Sequence, residues 1–457
     1  MNRMIFFLLV AGVILLPLPF AGVVDWAWSS YGIFIGVLLL TTSFTHDPAE
    51  IRLAARLLAV PLGLTLAFCL YVLWQTLSFG ADSWQHPLWA AAAAALPGRP
   101  VANSVALDAS VALDALTRFL SYLGTFWLAF LAARTSAGAM AMLKWVVLGT
   151  TAYAVYGLIE FAFDGNALIL WFERTAYIDD VTSTFVNRNS FATYVGLGVI
   201  ASLGWLIHAA TEIGLPEAGW RVKVVSVIEQ GGPRLTVPLM ACLLLMAALM
   251  LTHSRAGLLS TCAGIVILLG LLSHRHRMRQ RLMPLLVAVL ICCSFIVGLS
   301  SGTLQRIDTM TSSEGRVEVY YILLEAIATR PWTGFGYGNF EQAFGLFTNE
   351  SVSGYFDRGH NDYLELALGV GLPATAVLLA IGWVTGRCVV GVITRRRNMV
   401  FPAVAVGATA LVGLHATMDF SLQMPAVAAT FALLLGVGTA QAWRTEARRH
   451  SASEQPD

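Results

Sequence analysis

Twelve apolar runs, each close to the length of a membrane-spanning helix, follow one another along the 457-residue chain. A spanning helix needs about 20 apolar residues. The runs are 4–24, 26–44, 57–77, 117–134, 142–163, 190–210, 236–253, 256–273, 283–300, 363–384, 400–419 and 425–442. Backbone in hydrocarbon must satisfy its own N–H and C=O groups, and runs of this length do so as helices. The predicted fold class is therefore all-α, a polytopic transmembrane helical bundle of about 12 spans that occupies 1–457 as a single integral membrane domain. Composition agrees: 57% of residues are hydrophobic and 12% charged, with a mean hydropathy of +0.71. Soluble chains carry about 25% charged residues, and no segment here is polar enough to fold as a separate soluble domain. The first run follows Arg3 and has the outline of a signal peptide, but the spans behind it make a first transmembrane helix the better reading.

Orientation follows from the basic residues, which gather on the cytoplasmic side of membrane helices. An even number of spans puts both ends on one side. With both termini in the cytoplasm, most of the 28 basic residues fall in inner loops and tails, including Arg275, Arg277, Arg279, Arg281, Arg395, Arg396, Arg397, Arg444, Arg448 and Arg449. The outer side then holds an Ala-rich stretch between Trp84 and Pro97, predicted to lie at the interface, a loop over 164–189, and the largest extramembrane segment, 301–362. That large loop contains a predicted helix from Arg316 to Thr329, stopped by Pro331. The six cysteines, Cys69, Cys242, Cys262, Cys292, Cys293 and Cys388, lie in or beside apolar runs and read as small hydrophobes. No His/Asp/Glu cluster has metal-ligand spacing, so neither metal nor cofactor is expected.

Three basic side chains open apolar runs on the outer side. Arg188 lies in Asn187-Arg188-Asn189-Ser190, Arg255 in Ser254-Arg255-Ala256-Gly257, and His360 in Gly359-His360-Asn361-Asp362-Tyr363. A helix start carries unpaired N–H groups and a partial positive charge. A cation added to each gives a trap for a polyanion such as a pyrophosphate. Asn187, Asn189, Ser190 and Ser254 are candidate caps, and Asp362 with Glu365 resembles a capping box. Spans seven and eight are joined by almost nothing, so Arg255 sits at or just below the outer surface, where it needs an anionic or carbonyl partner. A helix start disfavours a charged imidazole, which keeps His360 usable as a base.

Each residue also has a plainer reading. Arg188 fits an interfacial arginine reaching for headgroups, Arg255 a structural ion pair, and His360 a solvated loop histidine. Arg316 precedes the loop helix and suits either a phosphate contact or pairing with Glu314 or Glu318. Arg306, Arg330 and Arg358 are similar, with Arg358 favoured by its nearness to His360. Tyr337 and Phe340 suit stacking on a sugar or prenyl chain, or packing within the loop. Gly334-x-Gly336-x-Gly338 follows no predicted strand and is not a nucleotide loop. His415 and Asp419, four apart near the outer end of span eleven, read as a buried hydrogen-bonded pair.

Together, Asn187-Arg188-Asn189 before one span, Ser254-Arg255-Ala256-Gly257 opening another, and Pro331-Trp332-Thr333-Gly334-Phe335-Gly336-Tyr337-Gly338-Asn339-Phe340 followed by His360-Asn361-Asp362-Tyr363-Leu364-Glu365 resemble the O-antigen ligase/O-antigen polymerase family. The motifs cover roughly residues 180 to 385. The resemblance implies a glycosyltransferase of the bacterial inner membrane working at the periplasmic face, with an undecaprenyl-pyrophosphate-linked glycan as donor and no metal. It implies that Arg188 and Arg255, with Arg316 as a looser match, hold the pyrophosphate and that His360 activates the acceptor hydroxyl. Asn187, Asn189, Ser254, Asn361, Asp362 and Tyr363 are then supporting residues. The acceptor stays open between a lipid-linked glycan, lipid A-core and protein. Membrane lipid is a further partner, and no nucleic acid is expected. An inverting displacement follows, with leaving-group charge stabilised by cations at helix starts. The rival class is a multi-pass secondary transporter of a small anion. Such folds place repeats and polar broken helices near the membrane midplane, whereas here the polar residues gather in outer loops.

Overall fold

The computed structural model describes residues 2–443, apart from 79–83, 100, 102, 164–166, 170–171, 175, 214–231, 275–309, 349–351, 353–355 and 396–397. The expected span 283–300, Arg306, Cys292, Cys293, the basic clusters at 275–281 and 444–449, and Arg396 and Arg397 lie outside the described residues. What is described is an all-α polytopic bundle. In chain order the helices are α1 (Arg3–Leu15), α2 (Asp25–Thr45), α3 (Pro48–Leu57), α4 (Ala59–Thr76), α5 (Leu88–Ala95), α6 (Ala109–Ala132) and α7 (Ser136–Phe163). A two-stranded antiparallel hairpin follows, β1 (Ala167–Ile169) with β2 (Phe172–Glu173). Then come α8 (Arg188–Ile213), α9 (Gly232–Leu251), α10 (Arg255–Leu272), α11 (Met310–Thr329), α12 (Phe340–Phe347), α13 (Asp362–Val370), α14 (Thr375–Thr394), α15 (Val400–His415) and α16 (Pro425–Gln441). Eight helices are long and apolar enough to cross a membrane, and α1, α15 and α16 are shorter apolar helices. The chain is a multi-pass membrane protein.

Burial separates the centre of the bundle from its rim. α8 is 94% buried over its apolar window, against 33% for α2, α4 and α9. Leucines and isoleucines on the rim helices, such as Ile33, Leu40, Leu66 and Leu70, are exposed. That pattern suits lipid contact, because hydrocarbon gives apolar side chains no reason to turn inward. Inside, helices approach through small residues. A Cβ on Gly264 of α10 would lie 2.7 Å from the Gly407 carbonyl oxygen of α15, and one on Gly436 of α16 would lie 2.5 Å from the Phe126 carbonyl oxygen of α6. Close backbone approach of this kind replaces the hydrophobic drive that lipid removes.

Two apolar runs end differently from the sequence reading. The run 4–24 is helical only to Leu15, because Pro17 and Pro19 lack the N–H needed to continue, and the chain turns through Phe20–Gly22. The run 363–384 is two pieces. α13 ends at Gly371, whose φ of 65° favours glycine, and α14 begins at Thr375. A Cβ on Gly371 would lie 2.6 Å from the Pro331 carbonyl oxygen. α13 is apolar because α11 and α12 bury it: Leu368 joins Val319, Leu323, Phe340 and Phe344 in one cluster. Hydropathy alone does not distinguish burial by protein from burial by lipid.

Hydrogen bonds seat the loop helices on one end of the bundle. Gln75 of α4 donates to the carbonyls of Thr333 and Gly369, and Gly336 N–H donates to Gly369 at 2.8 Å. Gly334, Gly336 and Gly338 all have positive φ. They fit against Gly369, Ala106 and Ala115 where side chains would collide, so the glycine triplet serves packing. Tyr337 and Phe340 are packed as well, Tyr337 edge-on to Phe68 and Phe340 stacked on Phe344. α5, in the predicted interfacial stretch, has no buried residue.

Candidate functional site

The starts of α8 and α10 abut. Gly257, in the first turn of α10, lies so close to Ala192 of α8 that any Cβ there would clash. The close approach lets the caps bond each other. Asn187 accepts from the Asn189 N–H at 2.7 Å, closing the first turn of α8. Ser254 caps α10 by accepting from Gly257 N–H at 3.1 Å, and donates its own hydroxyl to Asn189 Oδ1 at 2.7 Å. Arg188 and Arg255 are each one residue from this bridge, about 3.8 Å of chain.

The Asn189 side chain also reaches the third element. Its Nδ2 donates to Asp419 Oδ2, in the turn after α15. Asp419 is fully buried, and its Oδ1 lies 3.5 Å from His360 Nδ1. At that distance the contact is an ion-pair approach rather than a formed hydrogen bond. The result is one polar chain from the α10 start through Ser254, Asn189 and Asp419 to His360. Burial pushes the Asp419 carboxyl up. The His360 and His415 rings and the Phe420 N–H outweigh that, so its pKa lies below the ordinary value. Asp419 thus faces Nδ1, and no described residue bonds Nε2.

Arg188 and Arg255 are held differently. Arg188 Nη1 donates to Asp180 Oδ2 at 2.8 Å, and the guanidinium stacks over Tyr177 at 5.3 Å. His253 Nδ1 meets the other Asp180 oxygen at 2.8 Å. Arg255 is exposed and makes no ion pair or hydrogen bond among the described residues. Neither an anionic nor a carbonyl partner, one of which the sequence reading expects, is found for it among the described residues. Arg316 extends from α11 to the same place, donating to the Met418 carbonyl at 3.4 Å. No ion pair to Glu318 forms. Tyr177 records the convergence. Burial raises its phenol pKa, Arg188 and Arg316 lower it, and Asp419 and Asp180 raise it.

The loop that presents Asp180 is braced from beneath. Arg174 donates to the carbonyls of Asp180 at 2.7 Å and Tyr177 at 3.1 Å, and pairs with the buried Glu160 of α7 at 2.8 Å. Thr184 donates to the Pro17 carbonyl, and Val181 N–H to Leu251. Tyr177, His253 and His360 all have φ near +50°. Non-glycine residues held there cost about 1–3 kcal/mol each and concentrate at functional sites. Tyr320 of α11 holds His360 in this conformation by donating to its carbonyl at 2.7 Å.

Two sequence readings change. The cap of α13 is Asn361, which accepts from the Tyr363 and Leu364 N–H groups at 3.1 Å each. Asp362 therefore does not act as the cap. Asp362 and Glu365 instead share Gln423. Tyr363 donates to the Gly413 carbonyl at 2.9 Å. His415 bonds Ser421 at 3.1 Å rather than the Asp419 side chain. The reading missed Asp180 and His253 as well. Asp180 sits eight residues before Arg188, and His253 two before Arg255, but nothing in their spacing shows that they share a bond. Arg330 is a tie to the Gln85 and Trp84 carbonyls. No group of three His, Cys, Asp or Glu close enough to hold a metal occurs among the described residues.

Residues 240–379 match the O-antigen ligase family model. That segment of the chain is similar to the O-antigen ligase family. No curated protein matches the chain significantly. The O-antigen ligase segment contains Ser254, Arg255, Arg316 and His360 through Tyr363. Arg188, Asn189, Asp180 and Asp419 lie outside it, yet the hydrogen-bond chain joins both sets. The similarity supports glycan transfer as the function of that family.

Proposed function

We propose that this protein transfers or polymerises glycan from an undecaprenyl-pyrophosphate-linked donor at the periplasmic face of the bacterial inner membrane. The observation that carries the reading is the Asn189–Ser254 bridge, which sets two arginine-bearing helix starts side by side and continues through Asp419 to His360. Arg255, without a partner among the described residues, and Arg188, with its guanidinium partly exposed, bind the pyrophosphate, with Arg316 reaching in from the loop helix. Asn187, Asn189 and Ser254 hold the two starts together, while Asn361, Asp362 and Tyr363 seat the His360 turn.

In the reaction the acceptor oxygen attacks the anomeric carbon. The bond from that carbon to the pyrophosphate oxygen breaks, and its electron pair leaves on the pyrophosphate. His360 Nε2 takes the acceptor proton, and Asp419 faces the imidazolium that forms. Attack opposite the leaving group inverts the anomeric centre. Cations at helix starts stabilise the growing leaving-group charge, with Arg188 already held by Asp180, and no step calls for a metal.

The test is transfer by purified protein from a defined lipid-linked donor. Charge-assisted bonds contribute about 1.5–3 kcal/mol each. Arg255→Ala should therefore weaken undecaprenyl pyrophosphate binding about 10–100-fold and remove most transfer, with normal membrane insertion. Arg188→Ala should do the same and also unsettle Asp180. Binding and transfer within twofold of wild type in both variants would exclude the reading.

A further inference from the structure

Two histidines border the arginine cluster, and they are built alike. His360 Nδ1 lies 3.5 Å from Asp419, and His253 Nδ1 lies 2.8 Å from Asp180. Both hold φ near +50°. In both, no described residue bonds Nε2. His253 is the more open: its side chain is 55% exposed, against 21% for His360. Neither ring lines the cavity of about 310 Å³ between α4, α6, α14 and α16. The 358–365 and 416–423 segments, which carry His360 and Asp419, form the partition between that cavity and the arginine cluster.

The Asp180 loop is held by more than His253. Arg174 donates to the Asp180 carbonyl at 2.7 Å, and Arg188 meets Oδ2 at 2.8 Å. His253 brings a titratable group to the same carboxylate, on Oδ1. Two residues further on stands Arg255, exposed and without an ion pair or hydrogen bond among the described residues. Charge explains what the imidazole adds. Asp180 offsets the positive charge of Arg188, and a proton on His253 restores it. A neutral imidazole has one N–H to give. With that N–H on Asp180, Nε2 presents a lone pair, which repels a phosphate oxygen. The protonated ring has a second N–H, at Nε2. Opposite charges close together favour the ionised form, so a phosphate at Nε2 and the proton on it stabilise each other.

We infer that His253 is a further ligand for the donor's pyrophosphate that binds in its protonated form, so that donor capture takes up a proton. The proton sits on Nε2 and is shared with a phosphate oxygen, and no bond to carbon or phosphorus changes. The inference rests on the glycosyl-transfer reading and gives its donor site a control by pH. The charged and titratable groups around the pair are Asp180 and Tyr177 on the loop before α8, Arg188 on α8, Arg255 on α10 and Arg316 on α11.

The test is the affinity of purified full-length protein in lipid nanodiscs for undecaprenyl pyrophosphate, at about pH 5.5 and about pH 8.5, either side of the ordinary imidazole pKa of about 6.5. Wild type is compared with His253→Asn, since Asn tolerates the left-handed backbone and carries no charge. Taking the ratio of the two at each pH cancels the titration of the phosphate, of His360 and of the groups around the pair. His253→Asn should bind about tenfold more weakly than wild type at the lower pH, as loss of one charge-assisted bond requires, and within about twofold of it at the higher. His253→Lys, charged at both, should match wild type within about threefold at the lower pH and bind about fivefold tighter than wild type at the higher. A His253→Asn ratio that is the same at both pH values, whether near one or large, would reduce His253 to a tie for the Asp180 loop and overturn the proposal. If His253→Asn fails to insert, the His253→Lys ratio decides, and a ratio unchanged by pH overturns it. Binding that ignores Arg188→Ala and Arg255→Ala would instead sink the broader reading. Binding lost in those two variants, with a flat His253→Asn ratio, sinks this inference alone.

Discussion

The start of α8 against α10 and the cavity between α4, α6, α14 and α16 lie a few residues apart and are built on opposite rules. At the helix starts the caps are bonded, glycine removes the gap between helices, and Asp180 holds the Arg188 charge in place. In the cavity the helices stand apart and the walls are apolar over most of their length. A rigid polar site can discriminate charge and position a leaving group. A loose apolar space can discriminate only length and bulk. The difference teaches that close polar packing and open apolar packing are divided between neighbouring helix pairs, with the 358–365 and 416–423 segments shared.

The comparison breaks most sharply at the partition. His360→Ala should lower transfer about 10²–10⁴-fold while undecaprenyl pyrophosphate still binds, because the ring lies outside the arginine contacts. Purified His360→Ala working at the wild-type rate would remove the base from the scheme. Asp419→Asn is next, with a loss of roughly 10²-fold and little change in donor affinity. This variant also sharpens the polar side through pH. The folded pKa of Asp419 lies below its ordinary 3.8. Its stabilising contribution is therefore complete above that value and lost as pH falls through the lowered one. Melting curves between pH 7 and pH 3 should show an acid-side loss in wild type that Asp419→Asn lacks; parallel curves would contradict the ionised pairing. The smallest effect belongs to Ser254→Ala. Removing a cap costs about 1 kcal/mol and frees Asn189 Oδ1, so thermal stability should drop by a few degrees and donor affinity by a small factor. A larger catalytic than thermal effect would give Ser254 a chemical part beyond holding the two starts together.

Much of this was legible because membrane folding is constrained. Length and hydropathy located most helices, and the Ser254 cap could be read from one residue before a run. The α13–α14 break was hidden because burial under α11 and α12 makes α13 as apolar as lipid would. Asp419 was visible as an acid near a span end but was paired with His415, the residue four before it. The wall of the cavity could not be read at all, since its residues come from helices far apart in sequence.

The sequence by itself determined that helices cross a membrane and that Arg188, Arg255 and His360 stand at the starts of apolar stretches. Local composition suffices for that, because an apolar run of spanning length has one stable backbone solution in lipid. Tertiary structure alone decided which arginine is held by Asp180 and which has no partner among the described residues, and that Asn189 links Ser254 to Asp419. Those outcomes depend on side chains meeting across 65 and 230 residues of chain, where only packing sets the distance.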